Sequence, residues 1–146
     1  MNITRLIFLY KVVHGVLYDD TEAEGSRRRN QVDTVTEGIG LNRLTRNFAR
    51  AHIDTALRVD DAESIGMARY LMRHEALFVG SSSALCCVAA VKLARRLPPE
   101  SVVVTLACDA GTRHLSKFWS DEYLIEHGFE LPSDDVVDNL KFLVDV

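Results

Sequence analysis

At 146 residues the chain has room for one ordinary domain, and 47% apolar with 26% charged residues is a globular balance rather than a disordered one. Seventeen basic against 21 acidic side chains leave a net charge of −4, which excludes the broad positive field of a dedicated nucleic-acid binder. Three cysteines, two of them adjacent (Cys86 and Cys87), make no disulfide framework and point to a reducing compartment; no apolar run approaches the ~20 residues of a membrane span.

Met1 to Val13 is apolar from Leu6 to Tyr10, is interrupted by Lys11, and runs into no clear small-residue cleavage site. It reads as a strand or helix end belonging to a core, not as a secretory signal. Asp19 to Asp33 is polar, turn-rich and without apolar periodicity, which predicts a loop. Its run Arg27, Arg28, Arg29 has no aromatic interleaved and reads as a solvated face. Glu37-Gly38-Ile39-Gly40 then sets two glycines around one apolar residue, with Leu41, Leu44 and Phe48 following at helical spacing. The simplest reading of such glycines is a tight turn; the functional alternative is a backbone that a ligand approaches where a Cβ would collide.

Downstream, strands and helices alternate. Thr55 to Val59 predicts a short strand, and Asp60 or Asp61 supplies the cap of a helix running to about His74, with Ile65, Ala68, Leu71 and Met72 on one face. Ala76 to Val79 is a short apolar segment ended by Gly80. Ser81, Ser82 and Ser83 open a second helix, apolar on nearly all sides through Val91, basic at its end and stopped by Pro98-Pro99. Ser101 to Ala107 carries Val102, Val103 and Val104 without polar alternation, the pattern of a parallel strand buried on both faces. Asp109-Ala110-Gly111 makes the turn at its carboxyl end, and a terminal helix is expected from about Ser133, bearing Val136, Val137, Leu140, Leu143 and Val144. The fold class is α/β: a partial open parallel sheet with flanking helices.

In such sheets ligands sit beyond the carboxyl ends of strands and against helix N-termini. Three segments end an apolar element with small or turn residues: Glu37 to Gly40, Val79 to Ser83, and Cys108 to Arg113. Cys86, Cys87, Cys108 and His114 do not reproduce a zinc spacing and read as core thiols beside an unrelated histidine. Ser82, His114 and Asp109 can be imagined as a triad, but no G-x-S-x-G elbow supports one.

Together the three segments resemble the C-terminal half of the cysteine synthase and cystathionine β-synthase family, fold type II pyridoxal phosphate enzymes. The family's E-G-I-G turn, M-A-R helix, L-V-G-I-S-S-G-A turn, strand and P-D-S-G-E-R-Y-L-S segment are matched here in order. The matches are Glu37 to Gly40, Met67-Ala68-Arg69, Phe78 to Ala84, Val102 to Ala107 and Asp109 to Ser116. The likeness is strongest over residues 16–119 of a single, incomplete domain spanning 1–146, with 120–146 a C-terminal helical segment.

The resemblance implies pyridoxal phosphate as cofactor and β-replacement or β-elimination on an activated serine, giving L-cysteine. It places Ser82 at the cofactor's pyridine nitrogen and Asp109 near its ring, and it makes Gly38, Ile39 and Gly40 the loop bordering the amino acid substrate. A serine at the start of a helix also serves as a cap, so Ser82 has two expected uses. A neutral hydroxyl leaves the ring a weaker electron sink than a carboxylate would, which favours loss of a β-substituent over transamination. The sequence departs from the pattern at Ser81, Ala84, Cys108 and Ala110, where the family has isoleucine, glycine, proline and serine. The S-x-K-D-R lysine motif and the G-T-G-G-T phosphate cradle are absent, so no catalytic residue is assigned and the isolated chain is expected to be inactive. The whole family enzyme implies an amino acid substrate, a homodimer, no nucleic acid, no membrane span and a cytoplasmic location, or a mitochondrial one for a complete parent. The alternatives are a non-catalytic α/β fragment that binds or dimerises, a truncated product with no role and, further off, a nucleotide-binding domain using the glycine turns.

Overall fold

The structure, a computed structural model, describes residues 7–10, 34–37, 50 and 55–144. Strands β1 (Ile7–Tyr10) and β2 (Thr55–Arg58) pair in parallel, Ile7 opposite Thr55 and Tyr10 opposite Arg58. The opening apolar stretch is therefore a strand. The loop expected over residues 19–33, the Gly38-Ile39-Gly40 turn and the helical pattern of Leu41, Leu44 and Phe48 lie outside the described residues.

Leu57 and Val59 are buried, and Asp60 then caps α1 (Asp61–Glu75). Asp60 Oδ1 accepts from the Glu63 amide at 2.9 Å while Glu63 Oε2 accepts from the Asp60 amide at 3.2 Å, a reciprocal box that satisfies two otherwise orphaned donors. Ile65, Met67 and Ala68 are buried, and Gly66 lies so close to Phe142 that a Cβ would stand 2.8 Å from the phenylalanine's own Cβ. Met72 is 47% exposed, against the expectation that it lines the core face. Full burial on α1 is confined to its first half, Asp61 to Ala68, and Met72 to Glu75 are all exposed.

Helix α2 (Ser81–Ala94) buries Ala84, Leu85, Val88, Ala89 and Leu93, as its all-round apolar sequence requires. Its basic end is not a solvated face. Lys92 is buried, with Nζ 2.6 Å and 2.8 Å from the two carboxylate oxygens of Glu63 and 2.9 Å from the Arg58 carbonyl. Glu63 Oε1 also accepts from the Val144 amide at 2.8 Å. One ion pair thus joins the end of β2, the start of α1, the last turn of α2 and the C-terminal segment.

Residues 101–108 correct the most marked sequence expectation, because no strand forms there. Val102, Val104 and Leu106 are 72%, 76% and 73% exposed, and only Val103 packs against the core. β-branched residues make a strand only when a neighbour completes the ladder, and among the described residues no strand pairs with this backbone. The chain returns to order where Val79 and Ala110 form an antiparallel bridge, the Gly80 amide donating to the Asp109 carbonyl and the Gly111 amide to that of Phe78, both at 3.0 Å.

Beyond it come a 3₁₀ turn (Gly111–His114), the buried Phe118, helix α3 (Asp121–Glu126) capped by Ser120, and helix α4 (Asp134–Asp138). The 3₁₀ turn carries no expectation from sequence, and α3 lies within the C-terminal segment expected to be helical, although the sequence marks no separate helix there. The terminal helix begins where expected but ends after Asp138, with Leu140 in a left-handed conformation (φ 53°) that turns Phe142 and Leu143 inward and leaves Val144 exposed.

Helix α4 is fastened to the end of α1 by Arg73, which reaches Asp134 at 2.6 Å and Asp138 at 2.9 Å, and by His74, also 2.9 Å from Asp138. Its hydrogen bond from Arg73, reinforced by that from His74, holds the Asp138 carboxyl below the usual carboxylate range. A carboxyl whose pKa is lowered in the folded state stabilises that state above the ordinary Asp range and loses the contribution as pH falls through the lowered value. Acid unfolding of Asp138→Asn should therefore be flatter than that of the parent chain, and the two should converge at the acid end.

Candidate functional site

The three serines at the start of α2 have three different uses, set by the hydrogen bonds available to each. The helix is capped by Gly80, without a side-chain cap, which removes the expected capping role of Ser82. Ser81 is buried and its Oγ accepts from the Glu37 amide at 3.4 Å. Ser83 Oγ accepts from the amides of Cys108 and Asp109 at 2.8 Å and 3.2 Å and donates to the Asp109 carbonyl at 3.2 Å, locking that turn onto the helix. Ser82, half-buried, makes no hydrogen bond to any described residue and lines a cleft of about 620 Å³ with Glu37, Cys108, Asp109, Arg113 and His114.

The cleft brings together the two cofactor-side residues expected from sequence, Ser82 and Asp109. Glu37, which leads into the expected substrate loop, also lines it; Gly38, Ile39 and Gly40 themselves lie outside the described residues. Glu37 is placed from two sides. Thr34 and Thr36 donate their hydroxyls to Asp61 Oδ1 at 2.9 Å and 3.2 Å, tying the segment to the start of α1, and Ser81 holds the Glu37 amide. The Glu37 carboxylate accepts from Lys117 Nζ at 2.9 Å, and that hydrogen bond holds its pKa below the ordinary glutamate value.

His114, to which the sequence assigns no role, is also in the cleft wall. It is 7% exposed, and its Nε2 stands 2.6 Å from Asp109 Oδ2, while Nδ1 faces Glu37 Oε2 at 3.9 Å. A D-x₄-H spacing across a 3₁₀ turn is the only sequence signal for the pair, and it is a weak one. The other ring nitrogen faces Glu37, so Ser82, Asp109 and His114 share a cleft without forming the hydrogen-bonded chain of a triad. Asp109 Oδ1 is buried without a hydrogen-bond partner beside Gly80, where a Cβ would meet that oxygen and come within 2.8 Å of His114 Nε2.

The thiols divide. Cys86 and Cys87 are half-buried within α2, and burial with the nearby Cys108 pushes the Cys86 thiol up to about 12. Cys108 is exposed in the cleft wall, against the expectation of a core thiol, because the segment before it lies on the surface. Among the described residues no three His, Cys, Asp or Glu side chains are grouped to hold a metal, and no helix is long and apolar enough to cross a membrane.

Residues 8–109 match the family described as pyridoxal-phosphate dependent enzyme, and the chain belongs to it. It is 56% identical over 117 residues to cysteine synthase 2 of Schizosaccharomyces pombe, covering 79% of this chain and 30% of that protein. It is 52% identical over 126 residues to a putative mitochondrial cysteine synthase of Saccharomyces cerevisiae, covering 85% and 32%. Among solved structures it is similar to an O-acetylserine dependent cystathionine beta-synthase from Helicobacter pylori, a fold type II enzyme, with a TM-score of 0.62 and 34% identity over 77% of this chain and 34% of that one. The α/β architecture is thus that of part of a fold type II enzyme, and the chain spans about a third of the relatives it matches.

Proposed function

We propose that the cleft is the ring-nitrogen end of a pyridoxal phosphate site, and that the chain is the C-terminal portion of a cysteine-synthase-like enzyme carrying out β-replacement on an activated serine. One observation carries this reading: of the three serines at the start of α2, two are consumed by the fold and Ser82 alone offers its hydroxyl to the cleft. When bound, the cofactor withdraws electrons from the substrate's Cα so that a β-substituent can leave. Ser82 would meet the ring nitrogen as a neutral hydrogen-bond partner, which keeps the ring from holding a full positive charge. Asp109, pinned by Ser83, Gly80 and His114, would line the ring's flank. The loop leading out of Glu37 through Gly38, Ile39 and Gly40 would border the amino acid.

The cleft lining contains no lysine, so the covalent anchor is not among these residues. Lys92 is engaged by Glu63, Lys117 by Glu37 and Lys141 by Asp135. The complete site, the homodimer and the cytoplasmic or mitochondrial location belong to this same reading of a longer enzyme.

The test joins this chain, from Val16 onward, to the N-terminal portion of the S. pombe cysteine synthase 2. Ser82→Ala should leave the melting temperature unchanged, since Ser82 holds no cap, yet slow turnover roughly tenfold or more by removing the ring nitrogen's partner from a dry site. Ser83→Ala should instead lower stability by about 1–3 kcal/mol, because two buried amides lose their acceptor. Equal turnover in the parent and Ser82→Ala composites would remove Ser82 from the site.

A further inference from the structure

His114 has no part in the reading above, although it is the most buried ionisable group in the cleft lining. Its surroundings are specific. On one side Nε2 meets Asp109 Oδ2 at 2.6 Å; on the other Nδ1 faces Glu37 Oε2 at 3.9 Å; the ring meets Phe118 edge-on with centroids 6.5 Å apart. The two carboxylates come from segments 72 residues apart in the chain, and they join opposite walls of the cleft. Asp109 has its other oxygen buried without a partner among the described residues, and of these only His114 holds that carboxylate by a side-chain hydrogen bond.

We propose that His114 is a positioning residue that orients the Asp109 carboxylate at the bridge closing the cleft, at the end where Ser82 stands. The assignment of that end to the cofactor rests on the reading under Proposed function; the orientation of Asp109 itself does not. Lys117 braces Glu37 from outside at 2.9 Å, so the chain of contacts runs Lys117, Glu37, His114, Asp109 and ends against Gly80.

The experiment uses the 146-residue chain and separates ring from nitrogen. His114→Phe keeps a flat ring against Phe118 and loses both polar edges; His114→Gln returns an amide nitrogen near the Nε2 position and loses the ring. Hydrogen exchange is followed at the amides of Gly80 and Gly111, which close the bridge at Asp109. With positioning, His114→Phe speeds exchange at both amides roughly tenfold or more, the loss expected for a hydrogen bond to a charged group, and His114→Gln, which returns the Nε2-side donor to Asp109, stays within a few-fold of the parent. If the ring merely fills space, His114→Phe behaves as the parent and His114→Gln is the damaged variant, which overturns the proposal. A second reading needs no His114 variant: nitrogen NMR in mildly alkaline buffer should show the Nε2-protonated tautomer in the parent chain and lose that preference in Asp109→Ala. An unchanged tautomer overturns the proposal. Pyridoxal phosphate added to the composite enzyme and followed by its absorbance tests the underlying assignment separately; failure of the parent composite to bind, with the exchange pattern intact, removes the cofactor reading and leaves the positioning of Asp109 standing.

Discussion

Lys92→Met should lower the stability of the folded chain by about 3–5 kcal/mol, with a melting temperature reduced by roughly 10 °C or more. The Lys92 and Glu63 side chains are 4% and 2% exposed, so removing the ammonium leaves a carboxylate in a dry interior with only two backbone amides for partners. Bringing both charges out of water is itself expensive, so the pair need not be a large net stabiliser; leaving one without the other is what costs. The double variant Glu63→Gln, Lys92→Met, which keeps an amide oxygen for one of those two backbone donors and removes the stranded charge, should recover part of the loss. Urea unfolding of the four proteins in the cycle measures both quantities, and a Lys92→Met midpoint equal to that of the parent would show the pair to be solvated.

Gly80→Ala should be the most damaging single change for the site. The backbone at Gly80 (φ −77°) suits any residue, so the requirement for glycine is one of space. An added Cβ would lie 2.8 Å from both Asp109 Cγ and His114 Nε2, and Asp109 Oδ1 would be closer still. Aspartate is short, and here its amide, carbonyl and carboxylate are all held, so it cannot swing aside as a long side chain would. The expected cost is about 1–3 kcal/mol in stability, as for other overpacked sites. Affinity of the composite enzyme for pyridoxal phosphate should fall by more than Ser82→Ala causes. A Gly80→Ala protein with parent stability and parent affinity would show that the turn can open freely.

What the sequence made legible was mostly local. The Asp60 cap, the span of α1 and the all-round apolar α2 follow from residues near one another in the chain, whereas the pairing of Ser82 with Asp109 rests on the family resemblance. The failures are long-range. Val102 to Val104 have the composition of a buried strand, but composition cannot supply the neighbouring backbone that makes one, and the segment lies exposed. Lys92 reads from sequence as part of the basic end of a helix, because its partner Glu63 lies 29 residues away. Met72 was given to the core by periodicity, which fixes a face of the helix but not how far neighbouring segments extend along it. Helix α3 is six residues with a serine cap, too short for a periodic signal. His114 was weighed only within a triad, since nothing in the sequence places Glu37 beside it.

The Val144 amide, bound to Glu63 across 81 residues, makes this part of the molecule a closed circuit without a covalent fastening. The bond that closes it is made by the same buried carboxylate that meets Lys92, so the outer end of the chain and the deepest charge share one oxygen, Oε1. A terminal residue is ordinarily the most expendable part of a domain. Here, trimming the tail at Leu143 would act at the interior, withdrawing a donor from Glu63 and loosening the contact of Phe142 with Gly66. Cleavage before Val144 therefore perturbs the core before it perturbs the surface.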